Sequence, residues 1–402
     1  MIPMLESFKL DKTFQYLLVS LAFLMPLTVF GANLIIVLIV ILWALTGNYK
    51  SKIDQIIKSK VLIASILFFI LHIVGLLWTE DLRWGLHIIH KMWYFLLLFP
   101  ILYTLVKKEH IRYYISAFLL AIFFTEVLSY LVWFEIIPPF KNASVYNPTP
   151  FMSHISYNPI LAFSIYLILH ELLFNKSVSK FKLVFYSFLS VSMSINMFIT
   201  GGRAGQVMFF TMLCIIIFQY FNYKKLISLV VSIVVVISFF YIAFNTSEIF
   251  HNRVTETLTN IENFETNKNT SVGERIVFAM NSWEIIINNP IIGSGTGDFP
   301  IEYKKINMQN TPELTNATNP HNMYVLILVQ LGIIGLISFL SIIFYQIKFS
   351  ILSKDRFIRE TGLALPLLFL IIMLSDSYLL GHYTTLMYIF FSSFLYKDFE
   401  KT

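Results

Sequence analysis

Long apolar runs separated by short polar gaps make up most of this sequence of 402 residues. A membrane-spanning helix needs about 20 mostly apolar residues to cross about 30 Å of hydrocarbon, and about twelve of the runs approach that length. The predicted spans lie near residues 14–30, 32–47, 59–78, 86–106, 113–137, 158–174, 182–200, 204–221, 226–244, 322–347, 362–379 and 383–396. The pattern predicts an all-α fold, a polytopic membrane protein with about twelve transmembrane helices in one membrane domain over residues 1–402.

One polar segment, residues 245–321, is much longer than the other gaps between predicted spans. Inside it, Ser271 and Glu274 have the spacing of a capping box, and the apolar residues that follow repeat at helical spacing. These apolar residues are Ile276, Met280, Trp283 and Ile287. We expect an amphipathic helix near residues 272–289 that lies on the membrane or over the helix bundle.

The rest of this polar segment gives weaker signals. The backbone N–H groups of a glycine-rich turn, Gly293–Asp298, could bind an anion, or the turn could simply connect two elements. Residues 254–272 and 302–318 show no strong periodicity and are interpreted as surface covering.

The composition supports a membrane protein. Hydrophobic residues make up 57% and charged residues 13% of the chain, and the mean hydropathy is +0.73, which is too apolar for an ordinary soluble domain. Lysine and arginine are concentrated in every second gap, which is the bias that keeps basic loops in the cytoplasm. Both termini are therefore expected in the cytoplasm and residues 245–321 on the outer side. Because the basic residues are dispersed, the net charge of +6 indicates topology and not nucleic-acid binding.

Two arginines are candidates for contact with an anionic substrate. Arg203 lies between Gly202 and Ala204 in the short turn that joins the seventh and eighth predicted spans. Because glycine allows close backbone approach, the turn is expected to point the arginine into the mouth of the bundle; a snorkelling arginine that reaches lipid headgroups is the alternative. Arg275 lies in the first turn of the predicted amphipathic helix, where the helix dipole disfavours a cation. That position indicates a nearby anion.

The segment Asn319-Pro320-His321-Asn322 connects the long polar segment to the tenth predicted span. Histidine has an ordinary pKa close to neutral pH, so His321 is a candidate for proton transfer at the membrane surface. Helix capping is the alternative role of His321 and Asn322. Asp376 lies between the last two spans, at the edge of the hydrocarbon, where an unpaired carboxylate is costly. It could orient a histidine, pair with an arginine, or simply occupy a loop.

A further basic face is predicted at the outer end of the fourth span. Arg83, His87 and Lys91 recur at four-residue spacing, which places all three on one side of a helix. They could contact substrate, and an anchor for lipid headgroups is the alternative.

The sequence gives no sign of a cofactor or a metal. Cys214 is the one cysteine and lies inside a predicted span, so neither a disulfide framework nor a thiolate metal site is expected. No Walker-type glycine loop is present, and no ATP is available on the outer side. A bond-forming reaction there needs a substrate that is already activated.

Several of these segments, in this order, resemble the O-antigen ligase and polymerase superfamily. The matching motifs are Gly202-Arg203-Ala204, Gly273-Glu274-Arg275 with Trp283, Pro290-Ile-Ile-Gly293-Ser-Gly295, and Pro320-His321-Asn322 followed by Gly332-Ile-Ile-Gly335. The similarity covers residues 160–345, and it depends on the order and spacing of the motifs around one large outer loop.

The resemblance implies a metal-independent glycosyltransferase of the GT-C type on the periplasmic face of the bacterial inner membrane. The implied donor is a glycan on undecaprenyl diphosphate and the implied acceptor is lipid A-core, with membrane lipids as the other partners and no nucleic acid. By motif, Arg203 and Arg275 would hold the donor diphosphate, and His321 would help to activate the acceptor hydroxyl or position the reacting groups. The other expected substrate contacts rest on placement alone: Asn322, Asp376, Arg83 and Lys91.

Two other functions remain open at this point. An O-antigen polymerase would join lipid-linked repeat units to each other; a ligase is favoured because there is one large outer loop before the histidine and no second one. A transporter or flippase for lipid-linked glycans would place ionisable residues near the bilayer midplane, often within internal repeats. Here the candidate residues cluster at the outer surface instead.

Overall fold

The computed structural model describes residues 2–400, with side chains from Leu10 onward. These residues form α-helices joined by short connections, without a β-strand in the described range, so the predicted all-α polytopic membrane fold is confirmed. In chain order the helices are α1 (Ile2–Leu24), α2 (Val29–Leu45), α3 (Tyr49–Lys58), α4 (Lys60–Val74), α5 (Leu82–Trp93), α6 (Phe99–Leu105), α7 (Ile111–Trp133), α8 (His154–Phe174), α9 (Lys180–Phe198), α10 (Arg203–Tyr220), α11 (Lys225–Thr246), α12 (Glu248–Glu262), α13 (Gly273–Asn288), α14 (Phe299–Asn310), α15 (Met323–Leu352), α16 (Arg356–Ile372) and α17 (His382–Leu395).

The chain forms two compact units. Unit 1 contains the residues up to Ile35 together with Glu109–Thr255, and unit 2 contains Ile36–Lys108 together with the residues from Glu256 onward. The two predicted cytoplasmic ends, Met1 and Thr402, lie outside the described residues. The single membrane domain stays a prediction.

Helices occur at all of the predicted span positions, but their lengths differ from the prediction. Eight helical segments in the described chain are long and apolar enough to cross a membrane. α2 and α3 are long and apolar enough to cross a membrane only when they are taken together, as a pair that is bent by 116°. α16 has 17 residues and α17 has 14, and α1 begins and ends earlier than the apolar run at 14–30 indicates. The number of spans therefore stays a prediction, whereas the helices themselves are confirmed.

Buried polar side chains connect the helices of unit 1. The hydroxyl of Tyr157 donates to Oδ1 of Asn196 at 2.9 Å, and the Asn196 amide donates to Oγ of Ser129 at 2.9 Å. Oγ of Ser192 donates to the carboxyl of Glu126 at 2.6 Å. Polar groups in membrane helices need partners inside the protein. These bonds therefore fix α7, α8 and α9 relative to each other.

In unit 2, α15 is broken at Gly332, where the backbone adopts φ 59° and ψ −158°. The turn that follows α13, residues 290–295, forms hydrogen bonds with the backbone on both sides of this break. The N–H of Ser294 donates to the carbonyl of Val329 at 2.8 Å, and the N–H of Ile333 donates to the carbonyl of Pro290 at 2.9 Å. Irregular backbone at this depth is tolerated only where other protein groups satisfy its hydrogen bonds. The two glycine motifs noted in the sequence therefore pair with each other.

This pairing decides between the two interpretations of the glycine-rich turn Gly293–Asp298. The N–H groups of Ser294 and Gly295 donate to carbonyls of α15, and the N–H of Gly297 donates to Oε1 of Gln330 at 2.7 Å. Since these donors are already used, the turn is a structural connection that docks on α15 and not an anion-binding nest.

Asp298, at the end of this turn, attaches a second loop of unit 2. Its carboxylate is 1% exposed and accepts hydrogen bonds from the Thr79 hydroxyl and from the backbone N–H groups of Glu80 and Asp81. A buried carboxylate is stable only when its oxygens are satisfied in this way. The segment between α4 and α5 is thereby fixed to the turn that docks on α15.

We expect Asp298→Asn to destabilise the protein by about 2–4 kcal/mol, because an amide cannot accept the same set of bonds and brings two donors into a buried site. A thermal unfolding scan in detergent measures the loss. Asp81→Asn is the matched control: Asp81 accepts from the N–H of Trp84 at the start of α5, and asparagine caps a helix about as well as aspartate. Equal melting temperatures for the two variants would contradict this role of Asp298.

The long polar segment is more ordered than the sequence indicates. Residues 254–272 are exposed or half-buried, in agreement with the predicted surface covering, although α12 extends into them. The prediction is wrong for part of 302–318, where α14 forms and several residues are buried. Tyr303 is fully buried and Asn307 is 1% exposed. The Asn281 amide of α13 donates to Thr311 at 3.0 Å, and Thr311 donates to Asn307 at 2.8 Å. α13 and α14 therefore share a small polar core.

A helix forms at the predicted position, α13, Gly273–Asn288, but two details differ from the prediction. The N–H of Gly273 donates to the Thr270 hydroxyl at 3.0 Å, and the residue that precedes the helix is Val272, whose side chain forms no cap. The predicted apolar stripe is also not the packed face: Met280 is 60% and Trp283 is 58% exposed, while the opposite face packs on α14 and α15. The exposed face stays free for the predicted contact with the membrane.

Candidate functional site

His321 lies in a left-handed backbone conformation just before α15. Its φ is 51°, a region that histidine, asparagine and aspartate enter more often than most residues. Oδ1 of Asn319 accepts the His321 N–H at 3.0 Å, and Oδ1 of Asn322 caps α15 by accepting the N–H groups of Tyr324 and Val325 at 2.9 and 3.1 Å. These bonds fix the backbone on both sides of the histidine.

The imidazole of His321 faces the carboxylate of Asp376. Nδ1 lies 3.3 Å from Oδ1 of Asp376. That nitrogen is buried, and no hydrogen bond of good geometry reaches it from the described residues, whereas the His321 side chain as a whole is 39% exposed. Because Nδ1 is buried, Nε2 is the ring nitrogen that is left for contact with a substrate. A proton on Nδ1 would lie beside the carboxylate and leave Nε2 able to accept another proton.

Asp376 is itself held by its neighbours. The N–H of Ser377 donates to Oδ1 at 2.7 Å, and the Asn319 amide donates to the same oxygen at 3.4 Å. Burial raises the pKa of the Asp376 carboxyl, but the contact with His321, the Ser377 N–H and the charge of Arg275 outweigh burial and lower the pKa below its ordinary value. Asp376 is therefore an anion at neutral pH, and the prediction that it could orient a histidine fits this geometry.

The lowered pKa of Asp376 gives a pH dependence. A carboxyl whose pKa is lower in the folded state contributes stability above its unfolded pKa, near 4, and this stability is lost as the pH falls through the folded value. We expect the melting temperature of the wild type to exceed that of Asp376→Asn at pH 6. The difference should disappear as the pH falls below about 4. Thermal scans across this range test it; a difference that does not change with pH would contradict the role of the charge.

Arg275 and Phe278 connect α13 to this pair. The two residues are three positions apart and therefore lie on neighbouring positions of one helix face. The Phe278 ring stacks on the His321 ring, with centroids 6.0 Å apart and an angle of 21° between the planes. The charge of Arg275 acts on Asp376. Unit 2 therefore brings together three of the predicted site residues: Arg275, His321 and Asp376.

Asn322 has a structural role in this arrangement. Besides capping α15, its amide donates to the carbonyl of Leu374 at 3.2 Å, so both ends of the side chain are already bonded to the protein. Pro320 precedes the helix, because α15 begins at Met323. Contact of Asn322 with a substrate stays a prediction.

In unit 1, Arg203 is the first residue of α10, directly after the predicted tight turn. Asn158 of α8 is completely buried and holds this turn: it accepts from the Thr200 hydroxyl at 2.8 Å and donates to the Gly202 carbonyl at 3.3 Å. A methyl group at Gly205 would lie 2.1 Å from Cβ of Asn158. The glycines are therefore explained by close approach, as predicted.

Two further residues surround this turn. The charges of both Arg203 and Arg253 act on His154, the first residue of α8. The guanidinium of Arg253 lies 3.4 Å from the position that a Cβ would take at Gly201. Unit 1 thus has a basic cluster that consists of Arg203, Arg253 and His154.

The predicted face of α5 is present, but nothing attaches it to the histidine. Arg83 and His87 are exposed and Lys91 is half-buried, while Gly85, Ile88 and Met92 form the packed side. In the described part of the chain, no hydrogen bond or ion pair joins Arg83 or Lys91 to His321. Their contact with substrate stays a prediction.

The sequence interpretation did not assign roles to several residues that position this site. Asn158 carried a usable signal, because a polar side chain inside an apolar run calls for an explanation. The sequence also contained a signal for Phe278, since this residue lies one turn after Arg275. Arg253 lies within an apolar series at helical spacing, Phe250, Val254, Leu258 and Ile261, which indicates a helix but gives the arginine no role. No cluster of three or more His, Cys, Asp or Glu side chains suited to a metal occurs within residues 10–400.

Comparison with known proteins agrees with the motifs. Residues 188–340 match the family model described as O-antigen ligase. This range includes Arg203, Arg275 and His321, whereas Asp376 lies outside it. No curated protein matches the chain. The predicted resemblance of this chain to the O-antigen ligase and polymerase superfamily, whose members are enzymes of glycan transfer, is confirmed over residues 188–340.

Proposed function

We propose that this protein is an O-antigen ligase that transfers a glycan from undecaprenyl diphosphate to lipid A-core on the periplasmic face of the bacterial inner membrane. The observation that carries the proposal is the His321–Asp376 pair, with Nδ1 and Oδ1 3.3 Å apart. His321 lies inside the family match to O-antigen ligase over residues 188–340. The reaction needs no ATP, because the sugar is already activated by the diphosphate.

His321 is proposed to act as the general base. Nε2 removes the proton from the acceptor hydroxyl while the hydroxyl oxygen forms a bond to the anomeric carbon of the donor. The bond between that carbon and the phosphate oxygen breaks, and its electron pair leaves with undecaprenyl diphosphate. Asp376 stabilises the imidazolium that forms and holds the ring in one orientation, as a carboxylate does for a catalytic histidine elsewhere. A single displacement of this kind inverts the configuration at the anomeric carbon.

Arg275 is proposed to bind the donor diphosphate. A guanidinium can form two parallel charge-assisted bonds to phosphate oxygens, and it stabilises the negative charge that grows on the leaving diphosphate. The exposure of Arg275 at the start of α13 and the stacking of Phe278 on His321 support this role. The role of Arg203 as a diphosphate contact stays a prediction.

The test is a deletion of the gene, complemented with the wild type, Arg275→Ala or His321→Ala. Lipopolysaccharide and undecaprenyl-linked glycan are then analysed from the same cells. If the protein is a ligase, both variants leave lipid A-core bare while long glycan chains accumulate on undecaprenyl diphosphate. His110→Ala, at the start of α7, is the control and should restore the wild-type pattern.

The same experiment separates the other functions. Core that carries a single repeat unit would indicate a polymerase, because ligation would still occur without chain growth. Loss of periplasmic lipid-linked glycan, with the glycan retained on the cytoplasmic side, would indicate a flippase. Unchanged lipopolysaccharide in the deletion strain would overturn both enzymatic functions.

A further inference from the structure

α3 is a helix of ten residues that lies between α2 and α4. It is too short to cross a membrane, and it is bent by 116° from α2 at Gly47 and Asn48, which both have a positive φ. The segment Lys60–Trp78, which contains α4, is long and apolar enough to cross a membrane, and Thr79 follows at its other end. Thr79 is held by Asp298 of the long polar segment. α3 therefore lies along the opposite face of the membrane, which is the predicted cytoplasmic face.

The bend between α2 and α3 is fixed by side chains. Nζ of Lys52 donates to the carbonyl of Trp43 and to Oγ1 of Thr46, both at 2.7 Å, and it lies 4.4 Å from the centroid of the Trp43 ring. The indole N–H of Trp43 donates to Oγ1 of Thr104 in α6 at 2.9 Å. These contacts hold α3 in one position relative to α2 and α6.

Two stripes of side chains run next to each other along α3. The apolar stripe consists of three exposed residues at four-residue spacing, Tyr49, Ile53 and Ile57. The charged stripe consists of the residues that directly follow them, Lys50, Asp54 and Lys58. One residue corresponds to about 100° around an α-helix, so the two stripes are neighbours. In a helix at a membrane surface, the apolar stripe enters the acyl-chain region and the charged stripe stays among the headgroups.

The charged stripe borders a cavity between α3 and α6. The volume of this cavity is about 420 Å³, within the range of about 300–1,000 Å³ that is usual for small-molecule sites. Charges of both signs line it, from Lys50, Lys58 and Asp54 of α3 and from Asp398. Lys50, Asp54 and Lys58 are four residues apart along α3, yet they form no ion pair with another described residue. Their charges therefore stay available to a ligand.

Gln55 supplies the cavity with an unused acceptor. It lines the cavity, and its Oε1 is buried and accepts no hydrogen bond from the described residues. Buried polar atoms in native proteins nearly always have a partner. A ligand with an N–H donor would satisfy this oxygen.

We propose that this cavity binds the headgroup of a phospholipid that carries both a phosphate and a primary ammonium, as phosphatidylethanolamine does. Lys50 and Lys58 bind the phosphate through charge-assisted bonds. The ammonium donates to Oε1 of Gln55 and faces the carboxylate of Asp54. The acyl chains lie along the adjacent apolar stripe, which a soluble zwitterion would leave uncovered. The site is separate from His321, and the inference does not depend on the proposed function.

Other headgroups fit this lining less well. Phosphatidylglycerol has no cation, so its phosphate would lie beside the carboxylate of Asp54 without compensation. The quaternary ammonium of phosphatidylcholine has no N–H, so Oε1 of Gln55 would stay unbonded, which weakens binding by about a factor of ten. The ammonium N–H groups are therefore the basis of the expected selectivity.

The test is native mass spectrometry of the purified full-length protein in detergent, titrated with phosphatidylethanolamine, phosphatidylglycerol and phosphatidylcholine that have identical acyl chains. We expect phosphatidylethanolamine to bind at least about tenfold more tightly than the other two lipids. Free glycerophosphoethanolamine has the same headgroup without acyl chains and should not compete at the same concentration. Equal competition by it would show a site for a soluble zwitterion and would overturn the lipid assignment.

Two substitutions test the named contacts. Gln55→Leu should lower the affinity for phosphatidylethanolamine to that for phosphatidylcholine. It should keep the wild-type melting temperature in lipid-free detergent, because Oε1 bonds to no described residue. Asp54→Asn should reduce the preference over phosphatidylglycerol by about threefold, the usual scale of an exposed ion pair. If one variant fails to fold, detected by gel filtration, the other still tests the site.

Lys60→Ala is the matched control. Lys60 is exposed at the start of α4 and does not line the cavity, so its removal should leave the order of the three affinities unchanged. Equal binding of the three lipids by the wild type would overturn the inference. A preference for phosphatidylethanolamine that survives both Gln55→Leu and Asp54→Asn would also overturn it.

Discussion

His321→Ala is expected to lower the rate of glycan transfer by about 10²- to 10⁴-fold, the usual contribution of a positioned general base. The reason is geometric. Nδ1 is directed to Asp376 at 3.3 Å, which leaves Nε2 as the one ring nitrogen that a substrate hydroxyl can reach. The measurement is the initial rate of transfer from a lipid-linked glycan to lipid A-core with purified protein in detergent.

The matched control for this prediction is His110→Ala. It removes a histidine that is distant from His321 in the sequence, and it should keep the wild-type rate. Asp376→Asn provides a second comparison. Because Asp376 acts through the histidine, this variant should lower kcat while the KM values for donor and acceptor stay unchanged. A His321→Ala enzyme that transfers glycan at the wild-type rate would show that the histidine is not the base, whatever its distance from Asp376.

Much of the fold could be predicted from the hydrophobic pattern alone. A backbone inside a bilayer must satisfy its own hydrogen bonds, so each long apolar run has essentially one outcome, a helix. The pairing of His321 with Asp376 also has a sequence basis. The tenth and eleventh predicted spans are consecutive, so residues before the first and after the second return to one side, where the Met323 N–H meets the carbonyl of Met373 at 2.9 Å.

The face of α13 could not be predicted in the same way. Its sequence offers two apolar faces, one with Val277, Phe278 and Ile285 and the other with Met280 and Trp283. Periodicity identifies a helix, but it does not decide which face packs on the protein when both are apolar. The packed face is decided by tertiary contacts, namely by the polar core that α13 shares with α14.

The basic cluster of unit 1 shows another limit. Glycines flank Arg203 and single it out, whereas Arg253 lies in α12, whose apolar periodicity indicates a helix but not which residues the arginine contacts. What brings the two arginines together is the turn at 200–202, which is held by Asn147 and Asn158. Such contacts depend on tertiary packing, and a single sequence does not contain the pairwise information that would reveal them.

Gly332→Ala is expected to have the largest effect on folding. Gly332 has φ 59° and ψ −158°, a region that is essentially restricted to glycine and costs another residue about 1–3 kcal/mol, and a Cβ there would lie 2.4 Å from the backbone carbon and oxygen of Ile291. The contact is with backbone, so no side chain can rotate away. The turn at 290–295 must therefore leave α15, and the carbonyls of Val329 and Gln330 lose their donors.

The measurement is the melting temperature in detergent together with the yield of folded protein from the membrane. Gly47→Ala separates the two causes: Gly47 has nearly the same φ, 61°, but nothing lies within 4 Å of its Cβ position. It should lose only the cost of a positive φ. If both variants melt at the same temperature, backbone strain explains the whole effect and the docking of the 290–295 turn on α15 contributes nothing. If Gly332→Ala melts far lower and also loses transfer activity, the paired glycine motifs hold the start of α15, and with it His321, in place.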